Sequence, residues 1–363
     1  MTYQVFARKW RPKNFKEVVG QKYIIKAISN SIKLNRIHQA WILCGTRGIG
    51  KTTIARILAK CLNCKKKIST KPCQKCNSCK EIQKNCSPDL IEIDAASKTK
   101  VDDIKEILNN AKYFPIKERF KILLIDEVHM LSRYSFNALL KILEEPPKHL
   151  KFILATTNIE KLPKTIISRC IQLNLKTIKP KKIKKQLKKI LKNEKISFEK
   201  NALKLISIAA DGSIRDALSL IEQAISVGNG KITKKNTKKM LGIHKYGNFI
   251  KLLLAICNQD VKKMFSLQKK ILSLDVSPDK ILVELLRLLH HIHLFKLFSI
   301  SWKPKKYNQN HIKILKKISN KKSFTEIQNY YSILLNGRKD LSFSPSKKLG
   351  VELTLLKTLK NKK

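Results

Sequence analysis

The chain has 363 residues, 43% of them hydrophobic, with eleven glycines and eleven prolines. At roughly 100–200 residues per domain this implies two or three domains with a sizeable core, and the composition excludes collagenous, low-complexity and wholly disordered chains. Lysine and arginine total 77 against 26 acidic residues, a formal charge of +51 that suits a phosphate-rich partner. Only eleven of those cations are arginines and the lysines run through the whole sequence, which equally fits a lysine bias on solvated faces; the charge supports nucleic-acid binding without locating it.

The first ten residues, Met1 to Trp10, lack the apolar run of a signal peptide, so a cytoplasmic chain is expected. No membrane partner is expected either. The best candidate span, 281–300, is broken by Glu284, Arg287, His290, His291, His293 and Lys296, and reads as an amphipathic helix.

In chain order, the apolar run 40–44 predicts a buried strand. It leads into Gly45-Thr46-Arg47-Gly48-Ile49-Gly50-Lys51-Thr52-Thr53 and then a helix with Ile54, Ile57, Leu58, Cys61 and Leu62 on one face. A G-x4-G-K-T run between a strand and a helix is a specific phosphate-binding signature. Its glycines let backbone N–H groups close around phosphates, and the helix N-terminus favours negative charge. Lys51 reaches the β and γ oxygens, and Thr52 holds Mg²⁺.

Six of the nine cysteines follow within 61–86. A reducing compartment disfavours disulfides, and short loops let thiolates converge on one tetrahedral Zn²⁺. Cys61 belongs to the apolar face of the helix and Cys86 to a separate polar loop before Pro88. The expected ligands are therefore Cys64, Cys73, Cys76 and Cys79, a C-x8-C-x2-C-x2-C knuckle. Cys44, Cys170 and Cys257 read as packed hydrophobes.

Further strands are predicted at 90–93, 122–125, 152–155 and 171–173, separated by helical stretches such as the one carrying Phe136, Leu139, Leu140 and Leu143 and closed by Pro146-Pro147. Alternation of this kind implies an α/β fold with a parallel sheet covered on both faces. The strand at 122–125 ends in Asp126-Glu127, beside the phosphates. There Asp126 holds Mg²⁺ through water, making it a metal residue together with Thr52, and Glu127 activates the attacking water. The next strand ends in Thr156-Thr157-Asn158, and Thr157 is the candidate for orienting that water or sensing the γ-phosphate. Arg169 stands out in an arginine-poor chain as a candidate arginine finger. Arg215 follows Ser213-x-x-Asp216, a capping box; a cation in the first turn opposes the helix dipole and predicts an anion nearby, or else a salt bridge to Asp211 or Asp216.

Together with Gln4-Val5-Phe6-Ala7-Arg8-Lys9-Trp10-Arg11-Pro12, the runs Leu90 to Ser97, Leu124 to Ser132 and Phe136 to Pro147, Ser168-Arg169-Cys170 and Gly212 to Ser219, these motifs make residues 1 to about 243 resemble the gamma/tau subunits of the bacterial DNA polymerase III clamp loader, an AAA+ ATPase family. The resemblance implies an AAA+ P-loop NTPase fold, with a nucleotide domain at 1–178 carrying the zinc knuckle (61–86). A helical lid would follow at 179–242 and an all-α collar that oligomerises at 243–363. It further implies that Arg8, Arg11 and Pro12 line the adenine side, that Arg215 acts in cis as a sensor, and that Arg169 reaches the γ-phosphate of a neighbouring subunit. ATP, Mg²⁺ and Zn²⁺ are the implied cofactors. The implied partners are delta- and delta-prime-type subunits, further copies of the chain in a ring, the sliding clamp and primed DNA.

The long form of these subunits carries additional C-terminal domains that tether helicase and polymerase, and no counterpart is expected in a chain ending at 363. An AAA+ branch-migration helicase is disfavoured by the cysteine insertion, which belongs to the clamp-loader resemblance. A non-hydrolysing scaffold subunit is disfavoured by the retention of Lys51, Thr52, Asp126 and Glu127. No dispersed set of metal-binding carboxylates suggests a polymerase site.

Overall fold

The computed structural model describes residues 4–97, 101–242, 246–274, 276–297 and 309–359. Residues 298–300 of the stretch read as an amphipathic helix lie outside them, as do 303–308 and 360–363, both rich in lysine. By internal contacts the chain divides into residues 1–237 and 238–363.

The first unit begins with α1 (Phe6–Lys9) and α2 (Lys22–Lys33). The phosphate loop lies between β1 (Ala40–Cys44) and α3 (Lys51–Asn63), and α4 (Asn77–Lys84) carries the end of the cysteine run. Then come β2 (Leu90–Asp94), α5 (Val101–Ala111), β3 (Lys121–Asp126), α6 (Arg133–Glu144), β4 (Leu150–Thr156), α7 (Lys164–Ile167) and β5 (Ile171–Asn174). All five strands predicted from the sequence form. They pair in parallel in the order β2-β3-β4-β1-β5.

Period-two alternation divides the sheet's side chains between two cores. Trp41, Leu43, Ile122, Leu124, Ile153 and Ala155 pack with Ile54, Leu58 and Leu62 of α3. Ala40, Ile42, Leu123, Ile125, Phe152 and Leu154 pack with Leu108 of α5 and Leu139 of α6. Both faces are covered, which is why the strands read as unbroken apolar runs. Cys61 is fully buried in the first core, as its place on the helix face predicted.

This order decides where the chemistry sits. Because β4 lies between β1 and β3, the loops leaving the C-terminal ends of all three strands are neighbours, the usual ligand-binding edge of a parallel sheet. The phosphate loop, Asp126-Glu127 and Thr156-Thr157 are brought together there from three distant stretches of sequence.

The unit continues with helices α8 (Pro180–Asn193), α9 (Lys200–Ala209) and α10 (Ile214–Val227), and with a two-residue parallel pair, β6 (Ser197–Phe198) and β7 (Lys231–Ile232). Helix α11 (Lys234–Met240) follows. Pro180 occupies the first turn of α8, where its missing N–H costs nothing.

The second unit is all helical: α12 (Tyr246–Cys257), α13 (Val261–Leu272), α14 (Pro278–Leu297), α15 (Gln309–Lys321), α16 (Phe324–Asp340) and α17 (Lys347–Leu359). Its core joins Leu252, Leu285, Leu289, Ile292, Leu334 and Leu355. Residues 303–330 are rich in lysine, yet from 309 onward they form α15 and the first part of α16. Leu315 and Ile318 of α15 turn into the core, and Ser323 with Glu326 closes a full capping box on α16. Among the described residues no helix is long and apolar enough to cross a membrane.

Candidate active site and metal centre

A cleft of about 960 Å³ opens beside the phosphate loop, lined by that loop, by Asp126 and Glu127, by Arg8 to Pro12, and by Arg215. The loop needs glycine where it meets the following helices. Gly48 has a φ of +77°, and a Cβ there would lie 2.0 Å from Ser213 Oγ. The Gly48 carbonyl accepts from the N–H groups of Ile214 and Arg215 at 3.2 and 3.4 Å, so the N-terminus of α10 is docked on the loop. Ser213 Oγ accepts from Asp216 N at 3.1 Å, so the Ser213 half of the predicted capping box forms.

Lys51 is 6% exposed and donates to the carbonyls of Gly45 and Thr46 at 2.8 and 3.4 Å. Its Nζ also lies 3.7 Å from Glu127 Oε1. Thr52 Oγ1 donates to Asp126 Oδ2 at 2.7 Å, so the two oxygens expected to share a divalent cation already face each other. Glu127 sits in the left-handed region with φ +49°, an uncommon conformation that aims its carboxylate back across the strand ends. Its Oε2 accepts from both the N–H and the hydroxyl of Thr157, at 3.0 and 2.9 Å. His129 Nδ1 stands 3.4 Å from the same oxygen and 3.0 Å from Thr156 Oγ1.

On the other side of the cleft Arg11 Nε donates to Thr53 Oγ1 at 3.3 Å. Burial, with the neighbouring Arg56 and Arg215 charges, pushes the Arg11 guanidinium down to about 10, opposed by Glu92 and Asp126. Arg56 is paired with Glu92 at 2.7 Å, which leaves Arg11 and Arg215 to give this partly buried space a preference for an anion. Arg215 makes no ion pair among the described residues, so the alternative of a bridge to Asp211 or Asp216 does not form. The arm bearing Arg8 and Arg11 is tied down by Phe6 N to Glu222 at 2.5 Å and Trp10 Nε1 to Glu194 at 2.8 Å, with Lys9 Nζ 2.7 Å from the same carboxylate.

Arg169 lies just past α7 and is not among the residues lining this cleft. Its guanidinium pairs with Glu144 at 2.8 Å and donates to the Thr165 carbonyl at 2.9 Å. It is thus held on the outside of its own subunit.

The Sγ atoms of Cys64, Cys73, Cys76 and Cys79 all lie within 4.8 Å of one another. A tetrahedral zinc with Zn–S bonds of about 2.3 Å needs sulfurs roughly 3.8 Å apart, so the set fits. Cys64 ends α3, Cys76 caps α4, and Cys79 is within it. Backbone N–H groups of Cys73 and Cys76 point at the sulfurs of Cys64 and Cys73, each at 3.4 Å, as thiolates require. The Cys73 thiol is pulled down to about 6 by backbone N–H donors of Cys76 and Lys75. Cys86 is exposed and apart from the group. Cys44 and Cys170 prove half-buried rather than enclosed, whereas Cys257 is buried.

The sequence points to Lys51, Thr52, Asp126, Glu127 and Thr157 singly; the structure links the last four by hydrogen bonds and sets Lys51 beside Glu127 in an ion pair. Missed were His129 behind Glu127, Ser213 against Gly48, and the anchors Glu194 and Glu222.

A parallel sheet in this order, with a phosphate loop after β1, the strand between β4 and β5, and a helical unit docked on that loop, defines a P-loop ATPase of the AAA+ type. Three family models match in succession: "DNA polymerase III, delta subunit" over residues 20–179, "DNA polymerase III clamp loader subunit, ATPase lid domain" over 182–230, and "DNA polymerase III subunits gamma and tau domain III" over 232–363. The chain is 52% identical to the DNA polymerase III subunit gamma of Buchnera aphidicola subsp. Acyrthosiphon pisum, covering 99% of each. It is 46% identical to the DNA polymerase III subunit tau of Escherichia coli (strain K12), over 99% of this chain and 56% of that one. A solved structure of the Thermotoga maritima RuvB Holliday junction branch migration motor is similar at a TM-score of 0.49 and 23% identity, covering 68% of this chain and 79% of that one. The chain belongs to the gamma/tau subunit family of the DNA polymerase III clamp loader.

Proposed function

We propose that the chain binds ATP with Mg²⁺ in the cleft and spends the hydrolysis, within a ring of clamp-loader subunits, on opening a sliding clamp and releasing it on primed DNA. The carrying observation is the Lys51–Glu127–Thr157 group beside the Thr52–Asp126 pair, a complete set for in-line attack of water on a γ-phosphate.

In this reading the loop N–H groups and the N-terminus of α3 take the phosphates, and Lys51 exchanges its loop carbonyls for β and γ oxygens. Thr52 and Asp126 hold the metal ion. Mg²⁺, when bound, neutralises charge on the β and γ oxygens. Glu127 accepts the proton of the attacking water, and Thr157 fixes the orientation of that carboxylate. Arg8, Arg11 and Pro12 line the adenine side, and Arg215 senses the phosphates from α10 in the same chain. Arg169, turned outward, serves the γ-phosphate of a neighbouring subunit.

The four cysteines hold a structural Zn²⁺ that pins α4 to α3. The division into a nucleotide domain (1–178), a lid (179–242) and a collar (243–363) fits a machine in which nucleotide state is read by the lid and transmitted around a ring. Its partners are delta- and delta-prime-type subunits, other copies of the chain, the clamp and primed DNA, in the cytoplasm. Since coupling of binding is reciprocal, DNA that binds the ATP-loaded assembly more tightly also tightens ATP binding by the same factor.

The test is loading of a labelled clamp onto primed DNA by the reconstituted assembly, with ATP. Lys51→Ala in every copy abolishes loading. Loading that persists with that variant, or without ATP, would contradict the proposal.

A further inference from the structure

Lys60 lies on α3, the helix that begins at Lys51. It is 4% exposed, yet its ammonium reaches only two neutral oxygens, Gln74 Oε1 at 3.4 Å and Gln83 Oε1 at 3.3 Å. Among the described residues no carboxylate forms an ion pair with it. A buried ammonium without a counter-charge is strongly unfavourable; it either finds an anion or gives up its proton more readily.

Both glutamines belong to the cysteine knuckle. Gln74 occupies the turn between Cys73 and Cys76, with φ +62°, and its amide donates to the Lys13 and Pro72 carbonyls. Gln83 stands on α4 four residues after Cys79, on the same face of the helix. The ammonium is therefore suspended between the two arms that carry the ligands; burial pushes its pKa down, and the Cys79 sulfur is the strongest of the charges that oppose this, against a further lowering by Lys13. Four thiolates around one Zn²⁺ leave two net negative charges.

We infer that Lys60 is the counter-cation of the four-cysteine zinc centre, a positioning residue that neutralises the cluster from the phosphate-loop helix and so fixes α4 against α3. The inference rests on the reading of the knuckle as a zinc site. It gives Lys60, which with Gln83 also borders the cleft, an anion to serve from outside the ligand set.

The test uses the full chain and reads metal affinity rather than ATP turnover. Zinc content is measured by atomic emission, and zinc is then withdrawn by graded chelator competition at neutral pH from wild type, Lys60→Met and Lys60→Arg. Wild type carries about one zinc per chain. Lys60→Met lowers zinc affinity roughly 10- to 100-fold, the range seen when groups supporting metal ligands are removed, while Lys60→Arg stays within a few-fold of wild type. If Lys60→Met does not fold, Lys60→Gln replaces it, since it too removes the charge. Wild-type zinc affinity in the neutral variant overturns the inference about Lys60 alone; a wild-type chain that binds no zinc overturns the reading of the knuckle and the inference with it.

Discussion

Thr157 donates to one oxygen of Glu127 through both its backbone N–H and its hydroxyl, at 3.0 and 2.9 Å, while Lys51 faces the other oxygen at 3.7 Å. The carboxylate is thereby fixed between the end of β4 and the phosphate loop. Glu127→Gln should leave ATP binding intact and lower turnover by about 10²- to 10⁴-fold, the usual loss for a positioned general base. Thr157→Val removes one of the two donors and should lower kcat about tenfold with little change in KM. Steady-state ATPase measurements in the assembled complex check both. A Thr157→Val variant whose defect lies wholly in KM would show that the threonine binds nucleotide instead of orienting Glu127.

Two loop glycines separate backbone strain from steric contact. Gly50 has φ +106° and open space where a Cβ would go, whereas Gly48 would drive a Cβ into Ser213. Gly50→Ala should cost about 1–2 kcal/mol, the strain of a left-handed conformation alone. Gly48→Ala should cost more and undock α10 from the loop. Thermal melting of the nucleotide-free chain gives the order; equal losses would mean that the Ser213 contact contributes nothing.

Cysteine substitution tests the choice of four ligands from six. Cys79→Ser should lose zinc and lower the melting temperature, since Cys79 is fully buried on α4 within the cluster. Cys86→Ser, at an exposed position outside the cluster, should keep both. Metal analysis of the two proteins suffices, and zinc loss from Cys86→Ser would require a different ligand set.

The arm over the cleft carries an acid-sensitive tie. Hydrogen bonding from Lys9, with that of Trp10, holds Glu194 below its ordinary value of 4.5. A depressed carboxylate contributes stability that is complete above the unfolded value and is lost as pH falls through the folded one. Below about pH 4.5 the arm should loosen, and Trp10 fluorescence should report it. In Glu194→Gln that part of the acid transition should vanish; an unchanged transition would place the titrating group elsewhere.

Much of the site is legible in sequence because its signals are local. Gly45 to Thr53 is one contiguous run, Asp126-Glu127 directly ends an apolar strand, and the four clustered cysteines fall within sixteen residues, 64–79. Contacts spanning long stretches of chain carry no such signal. Nothing near Trp10 announces Glu194, and nothing near Gly48 announces Ser213, since glutamate and serine are common at surfaces. The helix α15 was obscured by its lysines, although Ile312, Leu315 and Ile318 recur at helical spacing and do turn toward the core. Arg215 was legible through physics: a cation placed against a helix dipole implied an anion, and it stands with Arg11 and Arg56 around the cleft, without an acidic partner of its own.

In the proposed function ATP is hydrolysed between subunits, with Lys51, Thr52, Asp126 and Glu127 from one chain and Arg169 from the next. The direct test is ATP turnover with partner subunits, clamp and primed DNA while Arg169→Ala chains are titrated into wild type. Activity that falls faster than the mutant fraction is the predicted result, because each mutant disables a neighbour's site within a coupled ring. A fall only in proportion to the mutant fraction, or no fall at all, would contradict it.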